Sequence, residues 1–260
     1  MTELIHVNVL NRVATLTIDH PPVNALASEV LAALDAAFDS ALKDSSVRVI
    51  VITGAGDRAF VAGANIKAFE AQINGGEPGL DEMRAYLAQG QGLFAKIEQA
   101  PVPVIAAING VALGGGMELA LACHLRLVAP NARLGQPEIN VGLIPAWGGT
   151  QRLPRLVGST MALHMILTGD PITAEQALAL GLVNGLAADV RAEAQALGEK
   201  IAAKGAVAIQ AVLRAVRASQ TMRLDDGLAL EVSEAEQLFE TPDLREGVEA
   251  FLQKRPARFA

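Results

Sequence analysis

Cysteine and aromatic residues are nearly absent from this chain. Cys123 is the one thiol among 260 residues, and aromatics make up 3%. A single thiol excludes an internal disulfide and a cysteine-rich metal site. Few aromatics leave little for nucleobases to stack on. Positive charge is short as well: 21 Lys and Arg stand against 28 Asp and Glu, a net charge of −7. That balance argues against binding nucleic acid through a basic surface. No uncharged apolar run reaches the roughly 18 residues that a membrane helix needs. The opening Met1-Thr2-Glu3-Leu4-Ile5-His6 has neither a basic leader nor an Arg-rich amphipathic pattern, so a cytoplasmic protein is expected. His6, His20, His124 and His164 are scattered without metal-ligand spacing, and no Gly-x-Ser-x-Gly elbow occurs.

What the chain has in quantity is apolar surface. Hydrophobic residues make up 51%, enough for one large core, or for a core with a small appendage. Residues 4–10 and 12–19 alternate in polarity and are rich in Val, Ile and Thr, so they read as two strands joined by a tight turn at Asn11. Helical spacing runs over 27–43, with Ser28 as candidate cap, and over 80–99. The near-continuous apolar runs 47–53, 104–108 and 125–129 predict strands of a buried, mostly parallel sheet with crossovers. Residues 132–138 read as an extended piece entering a turn, and 181–184 as a short strand. From 148 onward the pattern is otherwise helical, giving a core at 1–198 and a helical region at 199–260.

Gly54-x-Gly56-x-x-Ala59 imitates a dinucleotide fingerprint, but no helix pattern opens there and no acid-ended strand follows. A loop exposing amides around Ala62-Gly63-Ala64 is the better reading. The chemically suggestive stretch is Gly114-Gly115-Gly116-Met117-Glu118. Glycines let a ligand approach backbone N–H groups closely. A helix start carries unpaired N–H groups and partial positive charge, which can stabilise a developing anion. Glu118 sits one turn in, beside that end. Glu138, in the turn after Gly135-Gln136-Pro137, is the second candidate. If the two acids meet, they could hold one water and move two protons. Cys123 suits packing better than nucleophilic attack. Trp147-Gly148-Gly149-Thr150 suits either a pocket lining or a helix start, and Asp170 a turn.

Several motifs occur in order: Asn24-Ala25-Leu26, Ala62-Gly63-Ala64-Asn65-Ile66-Lys67, the segment from Asn109 to Leu119, Gly135-Gln136-Pro137-Glu138-Ile139, Gly148-Gly149-Thr150-Gln151-Arg152-Leu153-Pro154, Leu167-Thr168-Gly169-Asp170 and Lys254-Arg255-Pro256. Together they resemble the enoyl-CoA hydratase/isomerase (crotonase) family across nearly the whole chain. The resemblance implies an α/β fold, a crotonase-like spiral of ββα units with a C-terminal helical trimerisation region. It implies a homotrimer or homohexamer that takes an acyl-CoA thioester and needs no metal or redox cofactor. The backbone N–H groups of Ala64 and Gly115 would form an oxyanion hole. Ala62, Ala64, Asn65, Ile66, Lys67 and Gly115 would bind substrate. Glu118 would activate water and Glu138 would protonate C2. Carrying both acids points to an enoyl-CoA hydratase of fatty acid β-oxidation or related acyl-CoA metabolism. The alternatives are an isomerase, a hydratase of a branched or aromatic pathway, and a non-catalytic acyl-CoA- or RNA-binding member. Asn65 departs from the family's common Asp, which puts substrate preference there in doubt.

Overall fold

The computed structural model describes residues 3–63 and 80–259. Two sheets and their covering helices make up the core. β1 (Ile5–Leu10) and β2 (Val13–Ile18) form an antiparallel hairpin in which Ile5 faces Ile18 and Leu10 faces Val13. Asn11 and Arg12 make its turn at φ of 50° and 69°, and two positive φ values give the backbone twist that a two-residue hairpin prefers. From β2 the sheet continues in parallel through β3 (Val49–Gly54), β5 (Val104–Ile108), β7 (Leu125–Val128) and β10 (Gly185–Leu186).

β3 and β5 are buried along their whole length, as apolar runs with two covered faces must be. Alternation assigns the faces. Ile50 and Ile52 join Leu31, Leu34 and Phe38 of α1 (Ser28–Lys43) in one cluster. Val49 and Val51 join Val190 and Ala194 of α7 (Val190–Ala202) in another. The expected cap Ser28 is the first helical residue of α1; Ala27 holds the cap position, and its side chain makes no capping bond.

The second sheet is smaller, with order β4 (Ala59–Ala62), β6 (Val111–Leu113), β8 (Arg133–Gly135) and β9 (Ile172–Thr173). The first three run parallel. Each is fed by a strand of the large sheet: β3 leads to β4, β5 to β6, and β7 to β8. After β6 the chain enters α3 (Gly115–Ala122), completing a ββα unit. Asn109, between β5 and β6, ties two such units together. Its Oδ1 accepts from the Gly54 N–H at 3.0 Å, and its Nδ2 donates to the Gly56 carbonyl at 2.8 Å.

Two strands differ from the sequence expectation. Ala62, read as part of a loop, closes the strand β4, and the short strand expected at 181–184 lies at Gly185–Leu186. Both β4 and β10 are too short for alternation to identify them. The helices α2 (Leu80–Glu98), α4 (Gly149–Val157), α5 (Ser159–Thr168) and α6 (Ala174–Ala179) pack around the core. At the C-terminus stand α8 (Ala206–Ala218), α9 (Leu224–Leu238) and α10 (Pro242–Leu252). Arg214 of α8 grips Glu234 of α9 with two bonds of 2.7 and 2.5 Å. Among the described residues no helix is long and apolar enough to cross a membrane.

Candidate active site

The small sheet sets the site by its register. Ala62 pairs with Leu113, and Leu113 with Gly135, so three parallel strands end at one level. Beyond those ends lie Gly63, the glycine start of α3, and Gln136-Pro137-Glu138. Gly114 turns the chain from β6 into α3 at φ 53°, a conformation that side chains with a Cβ rarely adopt. Its N–H donates to the Gly135 carbonyl at 2.9 Å. Gly116 then lets α3 lie on β4, because a Cβ there would stand 2.0 Å from the Val61 carbonyl oxygen.

All eight residues of α3 are buried, Glu118 among them at 2% exposure. A buried carboxylate needs hydrogen bonds. Glu118 Oε1 accepts two, from the backbone N–H groups of Trp147 at 2.7 Å and Gly149 at 2.8 Å. Its second oxygen has no hydrogen bond among the described residues. Burial is the main force on its pKa, pushing it up to about 7, and the charge of Glu138 adds to the rise. The two N–H donors and the more distant Arg152 oppose it. Arg152 is held in turn by Glu98 at 2.8 Å and by the Trp147 carbonyl at 3.0 Å.

Glu138 is half-buried, in a 3-10 helix over Pro137–Val141 rather than a simple turn. Pro137 opens that helix, where its missing N–H costs nothing. Burial raises the Glu138 pKa too. Its Oε1 lies 2.8 Å from where a Cβ of Gly114 would be, so a side chain at 114 would collide with it. The fully buried Gln136 amide, turned to donate, puts its nitrogen 3.2 and 3.3 Å from the two Glu138 oxygens.

The structure therefore brings together Glu118, Glu138, Gly115 and, at the end of β4, Ala62. Ala64, Asn65, Ile66 and Lys67 lie outside the described residues. Three contributors were not singled out in the sequence for the roles they fill. Trp147 and Gly149 cradle Glu118 through main-chain atoms, which no side-chain pattern reveals. Gln136 braces Glu138, and its place inside a motif next to the acid was the available signal. The arrangement can do proton chemistry: two carboxyls with raised pKa values stand at a helix start that favours negative charge.

Comparisons with known proteins converge. A sequence profile of the family described as enoyl-CoA hydratase/isomerase matches residues 9–260. A probable enoyl-CoA hydratase of Bacillus subtilis is 44% identical over 250 residues, covering 95% of each chain. A crotonyl-CoA hydratase of Syntrophomonas wolfei is 40% identical, over 95% of this chain and 94% of its own. The crystal structure of an enoyl-CoA hydratase from Bacillus anthracis superposes with a TM-score of 0.92 at 35% identity, covering 98% of both chains.

Proposed function

The chain belongs to the enoyl-CoA hydratase/isomerase family, and on that premise we propose that it adds water reversibly across the 2,3 double bond of a trans-2-enoyl-CoA to give the 3-hydroxyacyl-CoA. The observation that carries this reading is the pair Glu118 and Glu138. Both have raised pKa values, and they are close enough that the charge of one raises the pKa of the other.

Hydration needs one base and one acid. Water attacks C3 while a carboxylate takes its proton, electron density moves to the thioester oxygen, and a carboxylic acid protonates C2. The pair must therefore hold one proton. Burial raises both carboxyls, Glu118 to about 7, so near neutral pH the pair can supply one acid and one base. With a water held between them, the carboxyls can exchange roles, so that either activates the water while the other serves C2. The Gly115 N–H at the start of α3 supports the enolate oxygen, and the Ala64 N–H is proposed as its partner. One such donor contributes about 3–4 kcal/mol to lowering a barrier. These steps call for proton transfers alone, with coenzyme A as part of the substrate.

β-Oxidation or related acyl-CoA metabolism in the cytoplasm is the proposed setting. Self-association as a trimer or hexamer is supported by the apolar side chains that α8–α10 expose, Phe239 and Phe251 foremost. The test is the absorbance of crotonyl-CoA. Its conjugated enoyl thioester band should decay on adding enzyme, with 3-hydroxybutyryl-CoA as product. A stable band, or a shifted double bond with no water added, would overturn the reading.

A further inference from the structure

We propose that the Trp147 indole is the partition that ends the acyl site, restricting this chain to short-chain 2-enoyl thioesters. The inference rests on the hydratase reading above.

Trp147 is 3% exposed. Its six-membered ring lies on Gly115, where a Cβ would stand 2.4 Å from Cζ3. Its five-membered ring lies on Gly90 of α2, where a Cβ would stand 2.4 Å from Nε1. Two positions without a Cβ thus admit the indole between α2 and α3. Tyr86 and Phe94 meet it edge-on, with ring centroids 5.1 and 5.6 Å away. The Tyr86 hydroxyl is anchored in turn on the Leu26 carbonyl at 2.5 Å.

Trp147 also lines a cleft of about 820 Å³ between α2 and α4 on one side and α8 and α9 on the other, a cleft whose wall is largely charged, with Arg152, Arg155, Arg214, Arg217 and the acids Glu98 and Glu234. One side chain therefore has the start of α3 on one side and this cleft on the other. With the thioester at Gly115 and C2–C3 at the carboxylates, an acyl tail running from Gly115 toward Gly90 of α2 meets the ring, and the charged cleft beyond gives an apolar tail no place to continue.

The indole N–H supports the same view. Nε1 is buried and has no hydrogen-bond partner among the described residues. An unpaired buried donor is destabilising, so Phe or Leu would suit the core better. What Trp adds at this position is bulk.

The test is kcat/KM for crotonyl-CoA and for trans-2-decenoyl-CoA in the wild type and in Trp147→Phe, Trp147→Leu and Trp147→Ala. The backbone N–H that holds Glu118 survives in all three variants. The wild type should favour crotonyl-CoA. That preference should shrink at least about tenfold in Trp147→Ala, the scale at which apolar pockets discriminate chain length, and less in Trp147→Leu and Trp147→Phe. Trp147→Leu keeps a core-sized side chain and serves if the Ala variant does not fold. Equal wild-type turnover of both substrates would overturn the partition, as would an unchanged ratio in folded Leu and Ala variants. A wild type that hydrates neither substrate would instead overturn the hydratase reading.

Discussion

Helix α3 holds buried ionisable groups at both ends. Near its start, Glu118 has a pKa of about 7, so it changes protonation state near neutral pH. Just past its end, Arg126 donates from Nη1 to the carbonyls of Ala120 at 3.3 Å and Cys123 at 2.6 Å, and from Nε to Leu182 at 2.8 Å. A cation on the last carbonyls matches the negative end of the helix, and Arg stays charged in proteins. His124 is held neutral: burial lowers its pKa, and Nδ1 accepts from the Val104 N–H at 2.9 Å. Burial pushes the Cys123 thiol up to about 12. Each group at this end is thus locked in one protonation state, and Arg126 and His124 tie the end of the helix to its neighbours. Burial of a charge does not by itself mark chemistry. What distinguishes the first end is a second carboxyl and an oxygen that has no hydrogen bond among the described residues.

The sharpest way to break this contrast is mutation at the chemical end. Glu118→Gln should lower crotonyl-CoA hydration at least about 100-fold, the low end for general acid–base catalysis. It should leave the fold intact, because the amide oxygen can still accept from Trp147 and Gly149. At the structural end, Arg126→Met should cost at least about 3 kcal/mol in denaturant unfolding, since three carbonyls lose a charged donor. The folded fraction should keep its turnover. A stable Arg126→Met protein that had lost hydration would erase the distinction between the ends.

A third effect depends on pH. Glu118 has its pKa raised in the fold from 4.5 to about 7. Its stabilising contribution is therefore fully present below the unfolded value and lost as pH rises through the folded one, by up to about 3 kcal/mol. Glu118→Gln should thus gain stability relative to wild type at pH 8 compared with pH 5, as measured by urea midpoints. An equal difference at both pH values would contradict the burial of its charge. The smallest effect concerns Cys123. The native thiol should resist a thiol reagent at neutral pH and react only on unfolding; rapid native labelling would show that end to be open.

Much of this was legible in the sequence because the core strands are long and apolar. The runs at β3, β5 and β7 and the helical spacing of α1 and α2 lie within a few residues of their predicted places, and α8–α10 fall in the stretch beyond 148 read as helical. The glycines before Glu118 marked a close approach to the backbone, read as that of a ligand; at Gly116 the neighbour that comes close is Val61 of β4. The small sheet was harder to read. β6 has three residues and β9 two, so no periodicity can form. Yet the register of β6 with β4 and β8 aligns the ends of those three strands, and so brings Glu138 to Glu118. The pairing of the two acids was available only by resemblance, since spacing along the chain says nothing about two strands meeting side by side. The Glu118 cradle was hidden for another reason: it is made of main-chain N–H groups, which every residue except proline carries.

The most direct measurement is crotonyl-CoA hydration by Glu138→Gln, because the central claim is that two carboxyls act together. Cooperation predicts a loss of at least about 100-fold in kcat, with KM little changed and the Glu118 pKa lowered by removal of its charged neighbour. Near-wild-type hydration in a folded Glu138→Gln protein would contradict it, leaving Glu118 to work alone.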